Sequence, residues 1–188
     1  MGRSYEGLDE RLTAFIERQH VFFVATAPRG AGGHVNVSPK GLDSLRVLDP
    51  HTVAYVDLVG SGAETIAHLR DNGRITLMFC AFEGPPNILR LYGRGEVLEP
   101  GDDGFDALHA RFPSYDSVRA ILRVHVTRIT DSCGFGVPRY TFEGERRQLH
   151  DWADRKGADG LRNYQLEKNT ESIDGLPALR GARLRRGG

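Results

Sequence analysis

The sequence predicts a mainly antiparallel β fold, closed into a small barrel with helices at its periphery. Three observations lead there. Runs rich in β-branched and aromatic residues with period-two alternation recur as far as residue 129. Turns marked by glycine, proline, asparagine and aspartate separate them. Strand and helix do not alternate regularly, as a doubly wound parallel sheet would require.

Residues 8–19, LDERLTAFIERQ, read as an amphipathic helix, with Leu8, Leu12, Phe15 and Ile16 at helical spacing. The next run, HVFFVATA over 20–27, reads as a strand. A glycine-rich turn from Pro28 to Gly33 leads into a second strand, His34–Ser38, which Pro39-Lys40-Gly41 ends. Two more strands, 44–48 and 52–57, are broken at Asp49-Pro50. The loop Val59-Gly60-Ser61-Gly62 opens a short helix over 63–72, which Asn72-Gly73 stops. In that reading Ser61 caps the helix and Glu64 completes a capping box. Residues 74–81 read as a buried strand and 87–98 as a long one, in which Gly93 and Gly95 mark a bulge or the close approach of another backbone. A helix over 102–111 and a strand over 120–129 follow. The region 1–140 is thus read as the barrel. Residues 141–188 are read as a helical extension packed on it, with helices at 145–156 and 161–168 anchored by Trp152 and Tyr164.

Composition narrows the function. Among 188 residues, Lys plus Arg equals Asp plus Glu at 25 each, so no overall charge draws the chain to nucleic acid or an anionic membrane. The basic end from Arg180 to Arg186 reads as a solvated tail. No apolar run approaches the roughly 20 residues of a bilayer span, and the polar start has no signal-peptide core; the expected location is the cytoplasm. Cys80 and Cys133 form no redox pair and read as packing residues. The chain lacks a phosphate-binding loop, a G-x-G-x-x-G fingerprint and a G-x-S-x-G elbow, and its seven histidines show no metal-ligand spacing.

Three segments carry a resemblance: HVNVSPKG (34–41), VAYVDLVGSGAETIAHLRDNGRITLMF (53–79) and ILRLYGRGEVL (88–98). In order and spacing they resemble the pyridoxamine 5′-phosphate oxidase-like flavin-binding proteins. The resemblance implies a six-stranded antiparallel split β-barrel with peripheral helices. It also implies a homodimer with flavin mononucleotide (FMN) at the subunit interface. Carried over position by position, it places Asn36, Ser38 and Lys40 at the cofactor, followed by Tyr55, Val56 and Asp57, then Ser61, Gly62 and Thr65. The family's phosphate-holding Arg-Lys pair is replaced by Glu64 and Thr65, and a flavin-contacting glutamine by Ile88. The family's C-terminal Trp and Arg signature has no match. Lys40 or Arg74 is expected to supply the missing cation, and pyridoxine-phosphate oxidation itself is not expected.

Arg90, Tyr92 and Arg94 share one face of the long strand, which suits either an anionic substrate pocket or an interface row. Arg90 and Tyr92 are the candidate substrate residues; no residue stands out as catalytic. The reading is an FMN-dependent oxidoreductase acting on a small molecule. Its alternatives are a barrel of the same kind holding a deazaflavin or haem, with His34 or His125 as axial ligand, and a non-enzymatic dimeric ligand-binding module.

Overall fold

The computed structural model describes residues 2–181. Eight strands form one antiparallel sheet. They are β1 (Ser4–Tyr5), β2 (Phe22–Thr26), β3 (Asn36–Lys40), β4 (Leu45–Asp49), β5 (Thr52–Leu58), β6 (Arg74–Cys80), β7 (Ile88–Leu98) and β8 (Val118–Ser132). The helices are α1 (Glu10–Glu17), α2 (Glu64–Asn72), α3 (Phe105–His109) and α4 (Gln148–Lys168). Strand order is β3-β2-β6-β7-β8-β5-β4, with β1 added on β8. The resemblance implies six strands and the sequence pattern marks seven; the eighth, β1, is too short for its alternation to register.

The sheet path ends at β3 and β4, and it curls until those ends approach. A side-chain bridge records this: Lys40 on β3 reaches Asp57 on β5, at 2.7 Å, although the two strands do not pair. The opening between them is the seam of a split barrel. Inside lies the main core, where Val24, Val53, Tyr55, Leu77, Leu89, Leu91 and Leu122 are fully buried. Leu12, Phe15 and Ile16 of α1 pack into it, as their spacing predicts. Asp9 caps that helix by accepting the Leu12 N–H at 2.7 Å. Each such aliphatic side chain contributes roughly 1.5–3 kcal/mol on burial. A second cluster sits outside the sheet, where Ala54, Val56 and Ile121 meet Phe105, Leu108 and Phe112.

Several local expectations change. Pro39 lies inside β3 rather than ending it; an edge strand paired only with β2 tolerates a residue without an N–H. The helix expected over 102–111 is only α3, and the two expected C-terminal helices form α4, interrupted at Gly157 where φ is 63° and ψ 174°. Its Ala153 and Leu161 pack on Val59, flanked by Trp152 and Tyr164 in edge contact at 5.1 Å. The capping box at Ser61 and Glu64 is absent: Ala63 is the N-cap and no side chain caps α2. The β7 expectation holds. Register shifts between Tyr92 and Gly93, and a Cβ on Gly93 would collide with the His125 carbonyl oxygen. No described helix is long and apolar enough to cross a membrane. The tail residues Arg183, Arg185 and Arg186 lie outside the described residues, whereas Arg180 is fixed by Glu99 and Asp102.

Candidate functional site

The seam opens into a cavity of about 490 Å3. The strand β3 gives it Asn36, Ser38 and Lys40; the loop before α2 gives Gly60, Ser61 and Gly62; and α2 gives Glu64 and Thr65. Val56, Leu58 and Leu149 add apolar surface, and Arg119 lines it from β8.

Charge is concentrated at its base. The Asp57 carboxylate is 1% exposed. One oxygen accepts from Lys40 Nζ at 2.7 Å, the other from Arg119 Nε at 2.8 Å. Burial alone would push this carboxyl up; the Arg119 and Lys40 charges, with their hydrogen bonds, outweigh it and hold the group at about 2. Two cations on one carboxylate leave the cluster itself with one net positive charge, which Glu64, elsewhere on the cavity wall, offsets. Arg119 also reaches the Gly60 carbonyl, as does Asn169 Nδ2 at 2.9 Å, so the loop before α2 is anchored from both sides.

A polar chain runs beside this cluster. Asn36 Nδ2 donates to Thr26 Oγ1 at 3.3 Å and to Thr65 Oγ1 at 3.0 Å. Ser38 Oγ donates to Asn36 Oδ1 at 3.1 Å. Both Asn36 protons are therefore engaged. Ser38 Oγ, having donated, keeps lone pairs to accept with, and Thr65, already an acceptor, keeps a proton to donate. Behind them His68, fully buried on α2, lies 3.0 Å from Thr26 Oγ1 through Nδ1.

The N-terminus of α2, with no side-chain cap, faces the same cavity. Such a terminus favours an anion. Glu64 competes for it, since its carboxylate turns back over Gly62 and also accepts the Ile173 N–H at 3.3 Å.

Seven of the residues carried over from the resemblance thus meet in one cavity: Asn36, Ser38, Lys40, Val56, Ser61, Gly62 and Thr65. Asp57 supports it from below. The Tyr55 side chain does not reach it; it is fully buried in the core, edge-on to Phe22 at 5.6 Å. Arg90 and Tyr92 also stand elsewhere within one chain. Arg90 donates to Ser132 Oγ at 3.0 Å, and Tyr92 lines a separate depression with Val35 and Thr76. Arg74 lines that depression too, so the second cation is Arg119, not Arg74. The sequence pattern does not single out Arg119. The available signal is Asp57 itself, a carboxylate in an otherwise apolar strand that needs a cation when buried. His34 is tied to Asp174 at 2.7 Å, and His125 is exposed on β8.

The fold and site define a class: a split barrel with a polar-lined cavity at its seam, based on a Lys–Asp–Arg cluster. Comparison makes the class specific. The pyridoxamine 5′-phosphate oxidase family model matches residues 8–133. A pyridoxamine 5′-phosphate oxidase family protein of Aspergillus flavus, ustO, is 42% identical over 95% of this chain and 78% of its own length. Among solved structures, a single-substitution variant of HupZ from Group A Streptococcus superposes with a TM-score of 0.52 at 24% identity, over 66% of this chain and 98% of the other. A candidate pyridoxamine 5′-phosphate oxidase from Lactobacillus delbrueckii gives 0.50 at 20% identity, over 68% and 98%. The chain belongs to the pyridoxamine 5′-phosphate oxidase family.

Proposed function

We propose that the seam cavity binds FMN and that the protein is a flavin-dependent oxidoreductase acting on a small molecule. The observation that carries this reading is the Lys40–Asp57–Arg119 cluster, whose net positive charge lies beside an uncapped helix N-terminus. It offers the phosphate of FMN the cations that Glu64 and Thr65 do not. The residues present fit the rest of the group. The cavity falls within the roughly 300–1,000 Å3 usual for such ligands. Ser38 presents an acceptor and Thr65 a donor, while Val56 and Leu58 offer an apolar face.

When bound, the flavin ring supplies hydride-transfer chemistry. The chain's own part is to hold and orient. Lys40 and Arg119 attract the phosphate, Asn36 fixes the Ser38 and Thr65 hydroxyls, and Leu149 on α4 helps exclude water from one side. No residue is assigned a proton transfer.

A homodimer is part of the same proposal. Val35 and Val37 are 72% and 61% exposed, next to the depression that holds Tyr92. A second copy covering that face would bury them and could bring Arg90 and Tyr92 to the cofactor as substrate-side groups. A cytoplasmic setting is proposed with it, since Cys80 and Cys133 are both unpaired.

The test is an absorption spectrum of the purified chain after adding FMN and desalting. Retained flavin bands, with affinity weakened about ten- to a hundredfold in Lys40→Met, support the reading. Failure to retain FMN overturns it. That outcome would favour a non-enzymatic ligand-binding module, which the Glu64 carboxylate at the helix start supports.

A further inference from the structure

We propose that a second cavity, between α1, β4 and the chain at Glu145, binds a small organic cation with an apolar body. It holds about 200 Å3, roughly six or seven waters' worth of liquid. That suits a single ring or a short alkyl chain.

The floor is apolar. Ile16, Phe22 and Phe79 are 2%, 4% and 1% exposed, and Val47 lies beside them. A fully polar guest would lose hydration there without replacement. One wall residue carries an unpartnered hydroxyl. Ser44 is 5% exposed and its Oγ is buried without a hydrogen-bond partner. A buried hydroxyl without a partner is unfavourable, and a guest that shifts this wall enough to reach it would relieve that.

The rim sets the sign of that guest. Three carboxylates stand on it: Glu17, Asp43 and Glu145. Asp43 is already neutralised by Arg46 Nη1 and Nη2, at 2.6 and 2.9 Å. Neither Glu17 nor Glu145 forms an ion pair among the described residues. The segment carrying Glu145 is held against the lip, because Phe142 stacks on His20 with centroids 3.6 Å apart and planes 6° from parallel. The Phe142 N–H donates to Glu83 at 2.9 Å, which fixes the stack from the other side. An ammonium at the mouth would meet two unpaired carboxylates while its apolar body filled the floor.

This cavity is distinct from the seam cavity, although Gly41 lines both. Leu42 faces the seam, whereas Asp43 and Ser44 face the second cavity. The dividing segment is unusual backbone: Leu42 and Asp43 take φ of 63° and 41°. Tyr115 holds it by donating to the Leu42 carbonyl, and Arg46 by donating to Asp43. Residues kept in this sparsely populated region cluster at ligand sites.

The probe is phenethylammonium, added to the full-length 15N-labelled chain first without flavin and then with FMN. The control is phenylacetate, of similar size and opposite charge. Saturable amide shifts at Phe22, Ser44 and Leu45 near about 1 mM are expected for the cation and none for the anion. Glu17→Gln with Glu145→Gln, both exposed and remote from packing, should weaken the cation about five- to tenfold. No saturable shift, equal binding of phenylacetate, an unaffected double variant, or shifts centred on Asn36 and Thr65 each overturn the proposal. The first arm contains no flavin, so its failure leaves the seam reading standing, and a failure to retain FMN leaves this one standing.

Discussion

The carboxylate of Asp57 and the guanidinium of Arg119 meet at 2.8 Å, in a place where their side chains are 1% and 5% exposed. With Lys40 they tie β3, β5 and β8 together across the seam. Removing the charge at the centre would leave two cations facing each other with little water. Asp57→Asn should therefore destabilise the fold by about 3–5 kcal/mol, read from the urea midpoint. An unchanged midpoint would mean that the cluster is more hydrated than its burial indicates.

The same carboxylate sets an acid limit. Its folded value of about 2 lies below the usual 3.8, so the folded state binds fewer protons than the unfolded chain between those values. The stability it contributes is complete above about pH 4 and is lost as pH falls toward 2. The amount is about 2 kcal/mol. Denaturation followed from pH 5 to pH 2 should show this loss, and Asp57→Asn should flatten that limb.

His68 acts at higher pH. Burial pushes its imidazole below the ordinary value of 6.5. The unfolded chain therefore takes up a proton that the folded state refuses, so stability is full above about pH 6.5 and declines as pH falls. His68→Leu sacrifices the contact with Thr26 but removes this slope. The stability gap between the two proteins should narrow from pH 7 to pH 5.

Gly93 tests the packing of the two longest strands. A methyl group there would strike the His125 backbone, which cannot rotate away. Gly93→Ala should cost about 1–3 kcal/mol. Gly30→Ala, where a Cβ meets nothing within 4 Å, should shift thermal unfolding by less than about 0.5 kcal/mol.

What the sequence reveals and what it hides follow from range. Leu12, Phe15 and Ile16 announce α1 because helical spacing is local, and the alternation of residues 120–129 announces most of β8 for the same reason. Lys40 and Thr65 are legible through family resemblance, and they do share a cavity. Tyr55 lies in that carried-over run too, yet it shares a face with Val53 and points into the core. Arg119 stays hidden because its partner is 62 residues earlier, and because it lies just before the run whose alternation is clear. The capping box looks valid in one dimension; the N-cap falls two residues later, at Ala63, and leaves the helix start open.

Pro39 has one more consequence. It stands one residue from the end of an outermost strand, opposite Phe23, and carries no amide hydrogen. A neighbouring chain trying to extend the sheet there would find a donor missing from the ladder it must copy. Replacing Pro39 with a β-branched residue would restore a continuous template beside the exposed Val37. Strand-to-strand polymerisation, and with it amyloid-like aggregation, is the hazard that this single imino acid restrains.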